Sequence, residues 1–244
     1  MFYLTDGSFE GILSAVFDAY ENKVEPEAIL SRDTFQMPLI SEIKEIITDT
    51  EKSDRVYRAI MEKISRDAIE DVYRAYLSEH PDCGLIIYRY IRIGLKMGKK
   101  VSGFLQNPDV LKIHDLNFKV MGEAHLFIGL LRFKKLKSGI FYACYEPDHN
   151  ITMLITEHFA ERLSDQPWII HDAKREIFAL YNTEEVLFSS GMPPFADEDH
   201  EEEEFELLWK KYFKAIAIES RKNPKLQKSF MPRRYWKHLA EKQP

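Results

Sequence analysis

His125, His158, Asp172 and Glu146 are the side chains of this sequence best suited to move a proton, and each stands in a stretch rich in other polar groups. In "GEAHLFIGLLRF", Gly122, His125, Gly129 and Arg132 recur at helical spacing, so a helix over 109–132 puts all four on one face. Two glycines flatten that face. It could admit a ligand with Arg132 as its anion contact, or simply let another element cross closely. In "EHFAERL", His158 and Arg162 are i, i+4 neighbours at the edge of an apolar stripe. An arginine beside a half-buried imidazole disfavours its protonated form, which suits a neutral base or a hydrogen-bond donor; such a pair also serves to cap a core. In "WIIHDAKRE", His171 and Asp172 are adjacent, so in a strand they point to opposite faces and form no dyad. Asp172 with Arg175 across a turn is the better pairing, either a turn clasp or a device that aims Arg175 at an anion. Glu146 precedes Pro147 at the end of a predicted strand, a lone carboxylate open to acid–base chemistry but without a sequence-visible partner.

The end of the chain offers different chemistry. "NPKLQKSFMPRRYWKHLAEKQP" interleaves Arg233, Arg234 and several lysines with Phe230, Tyr235 and Trp236, and Arg221 stands just before it. Cations neutralise phosphates and aromatic rings stack unpaired bases, so this is a candidate nucleic-acid or partner contact. The formal net charge is −6, yet it is unevenly distributed. Residues 197–206 hold eight acids, whereas residues 207–244 hold eleven Lys or Arg and two acids, a local net of +9. Such a tail attracts polyanions whatever the whole molecule's charge. It could equally pair with the acidic run beside it.

Several chemistries have no motif here. The sequence contains no phosphate loop of the GxxxxGK[ST] type, no GxGxxG turn, no GxSxG elbow and no deaminase cysteine pair. Cys83 and Cys144 lie 61 residues apart with no ligand-spaced neighbour, so no metal or cofactor is expected, and few thiols fit a reducing cytoplasm. The N-terminus lacks the layout of a signal peptide. The most apolar run, "LIIYRYIRIGL", is broken by Arg89 and Arg92 and falls short of a membrane span. A cytoplasmic protein without a membrane segment is expected.

The elements that must position these groups follow from periodicity. A short strand "FYLTDG" leads into a helix over 8–21 capped by Ser8 or Asp6, and "EIKEIIT" reads as a strand. A helix opened by Thr48 or Asp49 follows, then helices near 67–78, 82–97 and 109–132, with Pro81 and Pro108 at the starts of the last two. After residue 138 the pattern alternates: strand "GIFYACYEP", helix "ITMLITEHFAERL", then strands "WIIHD", "EIFALYN" and "EVLFS". The expected fold is α+β, mainly helical, with a small antiparallel sheet and a helical C-terminal segment. With 45% hydrophobic residues the chain can bury a substantial core. Residues 1–196 are expected as the mixed core domain, and 197–244 as an acidic linker followed by the basic aromatic segment packed on it.

The stretches "LTDGSFEGILSAVFDAY", "GEAHLFIGLLRF", "WIIHDAKRE" and "NPKLQKSFMPRRYW" together resemble a bacterial family of uncharacterised proteins assigned to DNA metabolism, domain of unknown function 4130. The resemblance runs from Asp6 to Trp236. It implies a separate radical SAM protein as partner; this chain has no CxxxCxxC cluster of its own. The function expected is therefore that of an accessory protein in DNA repair or modification, binding DNA or the partner through Arg132, Arg162, Arg175, Arg221, Arg233, Arg234, Tyr235 and Trp236. Two other readings stand beside it. In one, His125, His158, Asp172 and Glu146 converge as the site of an enzyme acting on nucleic acid or a damaged base. In the other, the chain is purely a protein-interaction module.

Overall fold

A computed structural model describes residues 1–34, 42–193, 228, 230–239 and 242. The acidic run 197–206, Arg221 and the helix expected over its neighbours lie outside the described residues, as does the boundary expected at 196/197. The chain falls into two compact units, Met1–Met121 and Gly122–Pro244.

The first unit begins with β1 (Phe2–Thr5), α1 (Phe9–Glu21), β2 (Ala28–Ser31) and β3 (Ile43–Glu45). Ser8 opens α1 by accepting from the Gly11 amide at 2.9 Å, while Asp6 binds the Ser8 amide and hydroxyl and the Thr48 hydroxyl. The helices α2 (Thr50–Lys63), α3 (Arg66–Leu77) and α4 (Cys83–Met97) follow. Asp49 caps α2 through the amides of Glu51 and Lys52. Helix α5 (Pro108–Leu130) starts in this unit on its proline and continues past Met121, and Asn107 accepts from the amides of Asp109 and Val110. One face of each helix closes over a core that includes Tyr3, Leu13, Val16, Ile60, Ile64, Tyr90, Ile91 and Ile113.

In the second unit come β4 (Lys134–Lys135), β5 (Phe141–Tyr145), α6 (Thr152–Arg162), β6 (Trp168–Asp172), β7 (Ile177–Tyr181) and β8 (Val186–Ser190). A 3-10 segment, Arg233–His238, lies near the end. The sheet order is β4-β5-β6-β7-β8. All five residues of the central strand β6 are buried, as a strand covered on both faces requires. Trp168 stacks on Tyr181 at 5.3 Å and meets Phe159 of α6 edge-on.

The α+β class holds, but the antiparallel sheet does not. In the first unit β1 pairs in parallel with both β2 and β3. In the second, β5 and β6 are parallel, and the other pairings are antiparallel. The cause is the helix between consecutive strands. A strand followed by a helix and then a strand returns in the same direction, whereas a two-to-five-residue turn reverses it. Helix α1 separates β1 from β2, and α6 separates β5 from β6, while short turns join β6 to β7 and β7 to β8.

No helix among the described residues is long and apolar enough to cross a membrane.

Candidate functional site

The polar groups of the second unit converge on the loop Glu146–His149, between the carboxyl end of β5 and the start of α6. Parallel β5 and β6 end together here, with Tyr145 opposite Asp172. The carboxyl ends of parallel strands leave a crevice that loops must fill.

Glu123 reaches this loop from α5. Along that helix the buried stripe includes Val120, Ala124 and Phe127, and Glu123 falls within it at helical spacing. Although 95% of its surface is covered, its carboxylate is fully engaged. It accepts from the amides of Asp148 at 2.7 Å and His149 at 2.8 Å, from His149 Nδ1 at 2.5 Å and from the Tyr235 hydroxyl at 2.5 Å. Burial pushes the Glu123 carboxyl up, but the donors from His149, Tyr235 and the loop amides outweigh it and hold it below its ordinary value. Burial and the Glu123 acceptor push the Tyr235 phenol well up, so it remains a donor. Its ring packs edge-on against Phe127 at 4.7 Å. Glu123 is therefore a fixed anion that anchors the loop and the C-terminal segment, not a group poised to take a proton.

Asp172 grips the same loop from β6. Its side chain accepts from the Lys174 and Arg175 amides and from Arg175 Nη1 at 2.8 Å. The guanidinium goes on to the carbonyl oxygens of Pro147 and Asp148, and Lys174 Nζ donates to Asp148 O at 2.9 Å. Asp172 is completely buried and the Arg175 side chain nearly so. The pairing across the turn is thus present, and it aims Arg175 at backbone carbonyls.

The opposite face of the strands carries Tyr142, Cys144 and His171. The Tyr142 hydroxyl lies 2.7 Å from His171 Nδ1. Nε2 of His171 is buried without a hydrogen-bond partner among the described residues. Burial lowers the pKa of this imidazole, which keeps it neutral. Burial also raises the Cys144 thiol. Neither group has the environment of an activated nucleophile. No cluster of three or more His, Cys, Asp or Glu among the described residues is placed to hold a metal ion.

The C-terminal residues divide by what they meet. Arg234 Nη2 binds Asp148 Oδ2 at 2.8 Å, and Lys237 binds Glu146. His238 Nε2 lies 3.4 Å from Glu146 Oε1. Burial of His238 lowers its pKa against the pull of Glu146. Lys237 in turn holds the Glu146 carboxyl below its ordinary value. Arg233 is exposed; its guanidinium lies 5.6 Å from the Trp236 ring centroid, and Lys242 Nζ lies 4.9 Å from the same ring. Phe230 is 64% exposed.

The remaining sequence candidates are dispersed. Helix α5 stops at Leu130, so Arg132 lies beyond it and leaves the face shared by Gly122, His125 and Gly129. Its Nη1 instead donates to the carbonyls of Gly129 and Leu131, closing the helix end. His125 is exposed, and nothing lies within 4 Å of a Cβ built on Gly122 or Gly129. The glycines accommodate no close crossing among the described residues. His158 meets the Phe159 ring edge-on at 5.2 Å, and Arg162 is exposed at the last turn of α6. Asp172 and Glu146 both border the loop Glu146–His149, each with its own cation, Arg175 and Lys237, whereas His125 and His158 have their contacts elsewhere.

Sequence reasoning passed over Glu123, His149 and Tyr142. Glu123 had a readable signal, an acid on the buried stripe of an apolar helix. A carboxylate there needs several donors, because burying a charge unpaired costs several kcal/mol, as a rough magnitude. His149 and Tyr142 had none, since their partners arrive through the fold.

Neither the curated proteins nor the solved structures contain a match to this chain. A family model described as a domain of unknown function matches residues 81–241, more than half of the chain and the whole stretch from α4 to the anchored C-terminal segment. The chain belongs to the DUF4130 family.

Proposed function

We propose that this chain is an accessory protein of DNA metabolism that contacts single-stranded nucleic acid through the outer side of its C-terminal 3-10 segment. The observation that carries the reading is the division of labour within that segment. Tyr235, Arg234 and Lys237 fasten it to Glu123, Asp148 and Glu146, while Arg233 and Lys242 approach the Trp236 ring. An aromatic ring flanked by cations offers a base a stacking surface and its phosphates a counter-charge. Exposed Phe230 and Arg233 extend that surface. The resemblance to proteins assigned to DNA metabolism supports the same reading. Fluorescence anisotropy with single- and double-stranded oligonucleotides over a salt series tests it. Binding that weakens steeply with salt is expected, and absence of binding to any oligonucleotide at low salt would remove the nucleic-acid half.

A second reading has its own support. Strand β8 is an edge strand, and it exposes Leu187 and Phe188, with Met192 just beyond it. An apolar edge suits the addition of a strand from another protein, here the radical SAM partner that the resemblance implies. Co-purification of that partner with the intact chain, lost on Phe188→Glu, is the expected result. Retention of the partner by the variant would count against β8 as the contact.

A further inference from the structure

Helices α1, α2 and α4 leave a groove of about 450 Å³ in the first unit. Val16, Val56 and Ile91 form its buried floor and Leu95 contributes to its wall. The rim is of another kind: Arg55, Arg58 and Lys63 of α2 stand exposed around it, with Glu62 as its acid, and the Tyr20 ring is 42% exposed at its edge. Most of these residues lie in α1 and α2, ahead of the stretch that the family model matches.

We infer that this groove binds a small aromatic anion, and that a nucleoside monophosphate is the ligand class it fits. The volume lies within the range of small-molecule sites, and an apolar floor with a few convergent polar groups is their usual make-up. Charge complementarity selects an anion. Among the described residues, Arg55, Arg58 and Lys63 form no ion pair with a carboxylate, in contrast to Arg175, Arg234 and Lys237 of the second unit. Arg55 is held instead over the Phe17 ring, 4.6 Å from its centroid, which orders the guanidinium without neutralising it. Arg58 Nε donates to the Asp54 carbonyl, so its charge also meets no carboxylate. Guanidinium forks suit phosphate oxygens, and Lys63 adds a point charge on the same rim. The exposed face of Tyr20 and the apolar floor suit a flat ring. Helix spacing explains the grouping: Arg55, Arg58, Ala59, Glu62 and Lys63 are three, four, seven and eight positions along one side of α2, beside the buried Val56.

The inference concerns residues 16–95 and is independent of the nucleic-acid reading of the C-terminal segment, so either can fail alone. Isothermal titration calorimetry of the full chain with each nucleoside monophosphate tests it, with the free nucleosides and inorganic phosphate as the two controls. Binding of a monophosphate at least about tenfold tighter than either control is expected, because each control lacks one half of the recognition. Arg55→Ala and Lys63→Ala should each weaken it by about tenfold, the loss of one charge-assisted contact. Lys63 is exposed, so its variant keeps the test informative if Arg55→Ala disturbs the Phe17 packing; Tyr20→Ala reports the stacking half. Equal binding of monophosphate and inorganic phosphate, no binding of any monophosphate, or affinity unmoved by Lys63→Ala and Arg55→Ala would overturn the inference.

Discussion

The hydroxyl of Tyr235 donates to Glu123 Oε1 at 2.5 Å, joining the C-terminal segment to a buried helix residue 112 positions earlier. The same hydroxyl receives Arg234 Nη2 at 3.0 Å. Tyr235→Phe keeps the ring against Phe127 and deletes these two contacts together with the hydroxyl's 3.2 Å contact to Asp148 Oδ2. It should cost about 1–3 kcal/mol, the range for a buried polar group that loses a partner. Urea denaturation followed by tryptophan fluorescence measures the loss. Limited proteolysis should show the segment cleaved faster in the variant.

Glu123 also gives the second unit an acid sensitivity. Its folded pKa lies below the ordinary value of 4.5 because its hydrogen bonds favour the ionised form over the effect of burial. A depressed carboxylate stabilises the fold above the unfolded pKa, and that contribution disappears as pH falls through the folded value. The segment should therefore loosen in acid, below pH 4.5, and stay docked at neutral pH. Glu123→Gln should be less stable at neutral pH and show a shallower loss of stability on acidification. Urea midpoints of both proteins across that range check it.

Asp172 and Arg175 form a nearly solvent-free pair that holds the carbonyls of Pro147 and Asp148. Asp172→Asn leaves a guanidinium buried without its charge partner and should cost about 3–5 kcal/mol. Arg175→Met strands the carboxylate instead. The double variant should lose less than the sum of the two, and a double-mutant cycle in chemical denaturation reads the coupling directly.

Glycines separate by what surrounds them. A Cβ on Gly84 would stand 2.5 Å from the Ile29 carbonyl oxygen, so Gly84→Ala forces α4 off β2 and should cost about 1–3 kcal/mol. Gly122 and Gly129 sit in α5 with open space around them. Gly122→Ala and Gly129→Ala should each raise stability, by up to about 1 kcal/mol from helix propensity. Thermal melts of the three variants check the contrast.

Local structure was the most legible part of the sequence. Apolar spacing located α1 to α4 and α6, and Ser8, Asp49 and Pro108 marked helix starts because capping and the fixed φ of proline are local effects. Strand direction was legible in principle, from α1 and α6 lying between strands, but alternation alone suggested hairpins. Strands β2 and β4 were missed because four and two residues are too short to show a period. The candidate site was the least legible. Its ion pairs join Glu146 to Lys237 and Asp148 to Arg234, far apart in sequence, and only the fold brings them together. The Asp172–Arg175 pairing was legible from their spacing across a turn, while the partner of Arg234 was not. Arg175 meets the buried Asp172, whereas Arg234 pairs with Asp148 and keeps 58% of its side chain exposed.

The salt dependence of single-stranded oligonucleotide binding, compared between Arg233→Gln and Arg234→Gln, tests the nucleic-acid reading most directly. Exposed Arg233, stacked with Trp236, should carry a phosphate contact, whereas Arg234 is committed to Asp148. Arg233→Gln should weaken binding and flatten the log–log salt slope by about 0.7, one phosphate contact on a single strand, with Arg234→Gln leaving the slope unchanged. Equal slopes for the native chain and both variants, or no salt-dependent binding at all, would contradict it.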